Sequence, residues 1–254
     1  ALGATPVDIR GAKGAKEGVF RVADPRVRRW ATVKDARVMG YWFWDCADER
    51  QNIAAIDPEK LVITLAPPWH GYGYRKGQYF YGYNLLGEID RPGEWYLDRE
   101  TGMLYLLPPG DRTPQRSMVS LLPSILSLDG ASNITFRGLT LEGARGTAFV
   151  ARNCEAVKLT GAVLRNCGGW AVQIAGGRNC EVRGCDIIGQ GCGGVSLEGG
   201  DRRTLTPANH LVENCDIHDY SRWTRTYQPG IELRGVGCRA AHNLIHDAPH
   251  QAIA

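Results

Sequence analysis

Two stretches, "NCDIHDYS" at 214–221 and "HNLIHDAP" at 242–249, each set an imidazole beside a carboxylate: His218 with Asp219, and His246 with Asp247. The interval is too long for a helix turn, so the doubling points to stacked strands. In the same register Asp186 of "RGCDI" falls over Asp216 of "ENCDI". On one wall of stacked strands these carboxylates would lie about 4.8 Å apart. Pairs about 5 to 5.5 Å apart serve retaining glycosidases and wider pairs inverting ones. Their mutual repulsion in water is only about 1 kcal/mol, so inert surface or a weak cation site, calcium included, fits the same spacing.

His242, His246 and His250 recur every four residues, which on a helix would line up metal ligands. Here Asn243-Leu244-Ile245 continues a strand pattern and Pro249 breaks any helix before the third histidine, so the zinc motif is rejected. The loop "DYSRWTRTYQPG" at 219–230 gathers Trp223, Arg225 and Tyr227. Sugars present apolar C–H faces and hydroxyl edges, which aromatic platforms flanked by forked donors and carboxylates suit. A loop that tucks its Trp onto a solenoid flank is the competing reading. On the strand that follows, Glu232 and Arg234 should face outward with Gln173 and Ser196 stacked beneath Glu232.

The elements that would position these groups come from a repeat. Gly138, Gly161, Gly184, Asn214 and His242 each precede an x-x-aliphatic triplet, at intervals of 23, 23, 30 and 28 residues. Two positions before these anchors stand Phe136, Leu159, Val182, Val212 and Ala240; three after them stand Leu141, Leu164, Ile187, Ile217 and Ile245. A later strand recurs as "AFVAR", "AVQIAG", "GVSLEG" and "GIELRG". Short strands, stacked aliphatics and polar corners with no helical stripe predict an all-β fold, a parallel β-helix. A leucine-rich repeat shares the period but needs an L-x-x-L-x-L framework that is not sustained here. The two longer intervals read as coils carrying loops, 199–210 and 220–229, where binding groups usually sit. In this register His218 should stack on His246.

Three domains are expected: a flexible or displaced segment over 1–18, an antiparallel β-domain over 19–117, and coils over 118–254. The middle region is aromatic-rich, "VMGYWFWD" and "YFYGYNLL", with a hairpin in "GEWYLDRETGMLYLLPPG"; it reads as a small sandwich or barrel joined to the coils through "GDRTPQRS". Trp42 and Trp44 belong to its core or cap a cleft. With 254 residues and a net charge of +3 the chain carries no concentrated basic patch for nucleic acid. It has no apolar run long enough to cross a bilayer. Eight cysteines form no CxxC pair. Cys185 and Cys215 should be core neighbours where a bridge would be strained, so few or no disulfides are expected.

"GYWFWDCADERQNIAAID" at 40–57, "NLLGEIDRPGEWYLDRETGMLYLLPP" at 84–109 and "SNITFRGLTLEGARG" at 132–146, followed by the coils, resemble exported right-handed β-helix proteins of carbohydrate metabolism, the glycoside hydrolase family 141 type. The resemblance implies a right-handed solenoid preceded by an inserted antiparallel β-domain, secreted or periplasmic, acting on plant or microbial polysaccharide or oligosaccharide. It implies a cleft along the strand "QAIA" and its neighbours, with His250 in contact with substrate and, with Asp186 and Asp216, a candidate catalytic group; a corner histidine hydrogen-bonded to backbone is the competing reading. It also implies further coils bearing the catalytic acids beyond the last residue, so that this chain is a fragment whose open coil end is free to self-associate. A polysaccharide lyase is the rival reading, weakened because Lys158 is the only lysine between 133 and 254. A noncatalytic carbohydrate-binding or adhesion solenoid is the third.

Overall fold

The computed structural model describes residues 1–110 and 117–254, and the chain divides into two compact units, 1–117 and 118–254. The connection expected over "GDRTPQRS" lies almost wholly outside the described residues.

The second unit is the expected parallel β-helix: three parallel sheets of five strands each. The first sheet contains Leu126–Asp129, Phe149–Arg152, Val172–Ala175, Val195–Gly199 and Ile231–Gly235. The second contains Thr135–Arg137, Lys158–Thr160, Glu181–Arg183, Leu211–Glu213 and Arg239–Ala241. The third contains Thr140–Glu142, Val163–Arg165, Asp186–Ile188, Asp216–His218 and Leu244–His246. Leu141, Leu164, Ile187, Ile217 and Ile245 are register partners in one continuous row, and the three in the middle are wholly buried. Each such side chain contributes about 1.5–3 kcal/mol by leaving water, which is why the row stays aliphatic while its neighbours vary.

Backbone conformation explains the repeat anchors. Gly138, Gly161, Gly184, Asn214 and His242 all turn the corner into the third sheet with φ between +53° and +65°. That left-handed region is free to glycine and reached most readily by Asn among the rest. The corner leaving the third sheet repeats the device in Gly143, Asn166, Gly189, Asp219 and Asp247. Two inward-pointing polar residues find backbone partners, whereas buried Gln190 donates its Nε2 to the Leu164 carbonyl and leaves its Oε1 without one. His210 accepts from the Cys180 N–H and bonds to the Gly176 carbonyl, and Asn243 accepts from the Cys215 N–H while donating to the Val212 carbonyl. Cys185 and Cys215 are buried neighbours, and their mutual hydrogen bond and burial push the Cys215 thiol up. The outward face of the second sheet is an ion-pair ladder, Lys158–Glu181–Arg183–Glu213–Arg239.

The first unit is one five-stranded antiparallel sheet with two hairpins, rather than a sandwich or barrel. Val19–Arg21, Val62–Leu65, Asp48–Asp57, Arg37–Tyr41 and Phe80–Tyr83 adjoin in that order. Its core joins the aliphatic Val27, Val38, Ile63 and Leu65 to an aromatic group in which Trp42 packs with Phe20, Tyr74 and Phe80. Trp42 is thus a core residue, whereas Trp44 lies half-buried beneath the Arg75 guanidinium. Residues 1–18, expected to be flexible or displaced, instead contain the hairpin Pro6–Ile9 and Ala12–Ala15. Ala15 and Tyr74 exchange backbone hydrogen bonds of 2.9 and 2.7 Å; a partner about sixty positions away leaves no local pattern. The hairpin read at 94–107 is present, with Trp95 opposite Leu106 and Gly102 at φ +73°.

Candidate functional site

Alternation along a strand that buries Val172, Ile174, Val195, Leu197 and Ile231 sends the residues between them out of the solenoid. On the first sheet this makes two outward columns. One is Val150, Gln173, Ser196 and Glu232; the other is Arg152, Ala175, Glu198 and Arg234. These columns form the floor of a cavity of about 360 Å³, with Trp170, Tyr227 and Gln228 along its wall. Trp170 needs glycine next door, since a Cβ at Gly193 would run into the indole ring.

The polar groups of the floor are held in place. Ser196 Oγ donates to Glu232 Oε2 at 2.8 Å and Arg234 Nη2 donates to Glu232 Oε1 at 2.6 Å, so both oxygens of Glu232 are gripped. Thr147 Oγ1 donates to Gln173 Oε1 at 3.0 Å. Glu198, one strand away, is exposed, and its carboxylate has no hydrogen-bond or ion-pair partner among the described residues. The cavity therefore offers one clamped carboxylate, one unclamped carboxylate, forked and amide donors, and two aromatic faces.

The loop read as a single binding projection divides between two flanks. Ser221 and Tyr227 have φ of +58° and +54°, and Ser221 Oγ closes the base on the Gln228 carbonyl at 2.6 Å. Tyr227 turns to the cleft, whereas Arg225 lines a different cavity and Trp223 stands exposed beside neither. His250 lies behind the wall: its Nδ1 accepts the Tyr227 N–H at 3.3 Å and its ring meets the Tyr227 ring edge-on, centroids 5.2 Å apart. It positions the aromatic wall. The loop at 199–210 reaches neither cavity.

Asp186 and Asp216 are register partners on the third sheet, but neither lines either cavity. Asp216 Oδ1 is 3.2 Å from His246 Nε2, and His246 Nδ1 is 2.7 Å from Asp247 Oδ2. Those carboxylates, Asp247 first, hold the imidazole above its ordinary pKa. His218 stacks on His246 as the repeat requires, with centroids 4.9 Å apart and planes 10° from parallel. Among the described residues no group of three or more His, Cys, Asp or Glu is arranged to hold a metal ion.

Trp170, Arg152 and Glu198 were not singled out in the sequence. The signal for Glu198 was present, since "GVSLEG" aligned on "GIELRG" places it in the column of Arg234. With this geometry in hand, comparison with known proteins yields one result: the family described as "Right handed beta helix region" matches residues 124–254, more than half of the chain. No curated protein and no solved structure matches.

Proposed function

Because the chain belongs to the right-handed β-helix family, we propose that the cleft on its first sheet is the working site of a carbohydrate-active enzyme, a glycoside hydrolase. The observation that carries this reading is the meeting of Glu198 and Glu232 with Trp170 and Tyr227 in one cavity. Trp170 and Tyr227 would receive a sugar ring, and Gln173, Arg152 and Arg234 its hydroxyl edge. Glu232, fixed by Arg234 and Ser196, keeps a spare lone pair on each oxygen and acts as general base toward water. Glu198 protonates the departing glycosidic oxygen. The two lie on neighbouring strands, two residues out of register, so strand geometry puts their Cα atoms about 8 Å apart. That spacing suits the wider carboxylate pair of an inverting enzyme.

The quoted resemblance to glycoside hydrolase family 141 supports the finer assignment, to an exported protein acting on plant or microbial glycans. A lyase reading is less favoured, because Lys158 pairs with Glu181 at 3.3 Å on the second sheet, away from the cleft. The test is an assay of the chain on aryl fucosides, aryl xylosides and plant polysaccharides, with product anomers followed by NMR. Hydrolysis with inversion, lowered by Glu232→Gln about 10²–10⁴-fold, is expected. Unsaturated products would indicate a lyase, and glycan binding without any cleavage would overturn the enzymatic reading in favour of a binding solenoid.

A further inference from the structure

The flank of loop 219–230 that faces away from the cleft holds a second and larger cavity, about 730 Å³, lined among others by Asn166, Asp219, Arg222, Arg225, Asp247 and Pro249. It is built on the left-handed corner column that leaves the third sheet: Asn166, Gly189, Asp219 and Asp247 occupy successive coils with φ of +56°, +67°, +54° and +50°. A corner repeated in this way sets its side chains on one rigid ridge at strand spacing. The arginines also rise from fixed backbone. The Arg222 N–H donates to the Gln190 carbonyl at 3.1 Å, and the N–H groups of Trp223 and Thr224 both donate to the Gly191 carbonyl.

The charges in this cavity are not equivalent. Asp219 and Asp247 each lie beside an imidazole, His218 Nδ1 at 2.8 Å and His246 Nδ1 at 2.7 Å. The Arg222 guanidinium has no partner side chain among the described residues. Its Nη1 lies 3.4 Å from where a Cβ of Gly189 would sit, so the guanidinium rests against the corner column. Arg222 is exposed, and its fork lies open to an oxyanion that enters the cavity. Carboxylate and amide oxygens around it are acceptors for hydroxyl groups.

We propose that this cavity is a second, noncatalytic site for an acidic saccharide, whose carboxylate or sulfate oxyanion docks on Arg222 while ring hydroxyls donate to Asp219, Asp247 and Asn166. The site stands apart from the hydrolytic reading of the cleft and would hold a chain through its charged units. Binding by calorimetry to the full chain tests it, with four probes: a glucuronate-containing disaccharide, the same disaccharide reduced to the neutral sugar, a sulfated disaccharide, and inorganic sulfate. The acidic disaccharides should bind at least tenfold more tightly than the neutral one and than inorganic sulfate. Arg222→Gln should abolish that preference, with thermal unfolding unchanged, and Glu232→Gln should leave it intact. Binding of both acidic disaccharides no tighter than the neutral one, inorganic sulfate binding as tightly as the sulfated sugar, indifference to Arg222→Gln in a folded variant, or loss on Glu232→Gln would each overturn the proposal. Preference for only one of the two oxyanions would support it and identify the source.

Discussion

On the first sheet Glu198 and Glu232 rise from neighbouring strands with Trp170 and Tyr227 beside them; on the third, Asp186 and Asp216 stand directly across one strand spacing, outside both cavities. Both faces carry two carboxylates on adjacent strands, and the aspartates, in direct register, are the closer pair. The difference lies in what surrounds them. Glu232 is clamped by Ser196 and Arg234 within a cleft, whereas Asp216 is tied to His246 on a solvated wall. A carboxyl pair becomes a candidate catalyst when aromatic walls and fixed donors bring a substrate to it, and proximity alone does not do this.

The largest effect expected from that contrast is kinetic. Glu198→Gln should lower kcat on any hydrolysed glycan by about 10²–10⁴-fold, a barrier increase of about 3–5 kcal/mol, while Asp216→Asn stays within about twofold. Steady-state rates for the two variants check this, and equal losses would break the contrast. The next effect is on stability and concerns the shared floor. Ile187→Ala, in the buried row that supports both faces, should cost about 2–5 kcal/mol in a chemical denaturation curve, whereas Asp186→Asn on the surface of the same strand should shift it by about 0.5 kcal/mol or less.

A smaller effect belongs to the cleft wall. Trp170→Ala should raise KM about tenfold with kcat little changed, since stacking on a sugar is worth about 0.5–1.5 kcal/mol; a fall in kcat alone would mean that the indole acts elsewhere. The smallest effect separates an inward from an outward histidine. Burial holds the His210 imidazole below its ordinary pKa, so the unfolded chain takes up a proton that the folded chain refuses. Stability from His210 is therefore complete above about pH 6.5 and falls as pH drops below it. His246, raised chiefly by its hydrogen bond to Asp247, behaves oppositely: its contribution is present below about pH 6.5 and fades as pH rises through its folded value. Imidazole NMR titrations should place His210 below and His246 above the ordinary value; the reverse order would contradict the assigned environments.

The solenoid was legible because its constraints repeat. A buried row must stay aliphatic on every coil, and a left-handed corner admits few residues, so Leu141 to Ile245 and Gly138 to His242 announce themselves. The cleft was legible only in part. The column of Gln173, Ser196 and Glu232 stands where the register placed it, but its members share no chemistry that would mark them as the floor of a cleft. Trp170 gains its role from the space left by Gly193 on the next coil. The loop at 219–230 misled because positive φ at Ser221 and Tyr227 parts residues that the sequence sets side by side. The hairpin within 1–18 was hidden for a different reason, its bonding partner Tyr74 being remote in the chain.

The location of a bound glycan tests the central claim most directly. In a crystal of Glu232→Gln soaked with an oligosaccharide that the unaltered chain cleaves, a sugar ring should lie against Trp170 and Tyr227 with its glycosidic oxygen facing Glu198. A glycan bound instead along Asp186 and Asp216, with the first-sheet cleft empty, would contradict it.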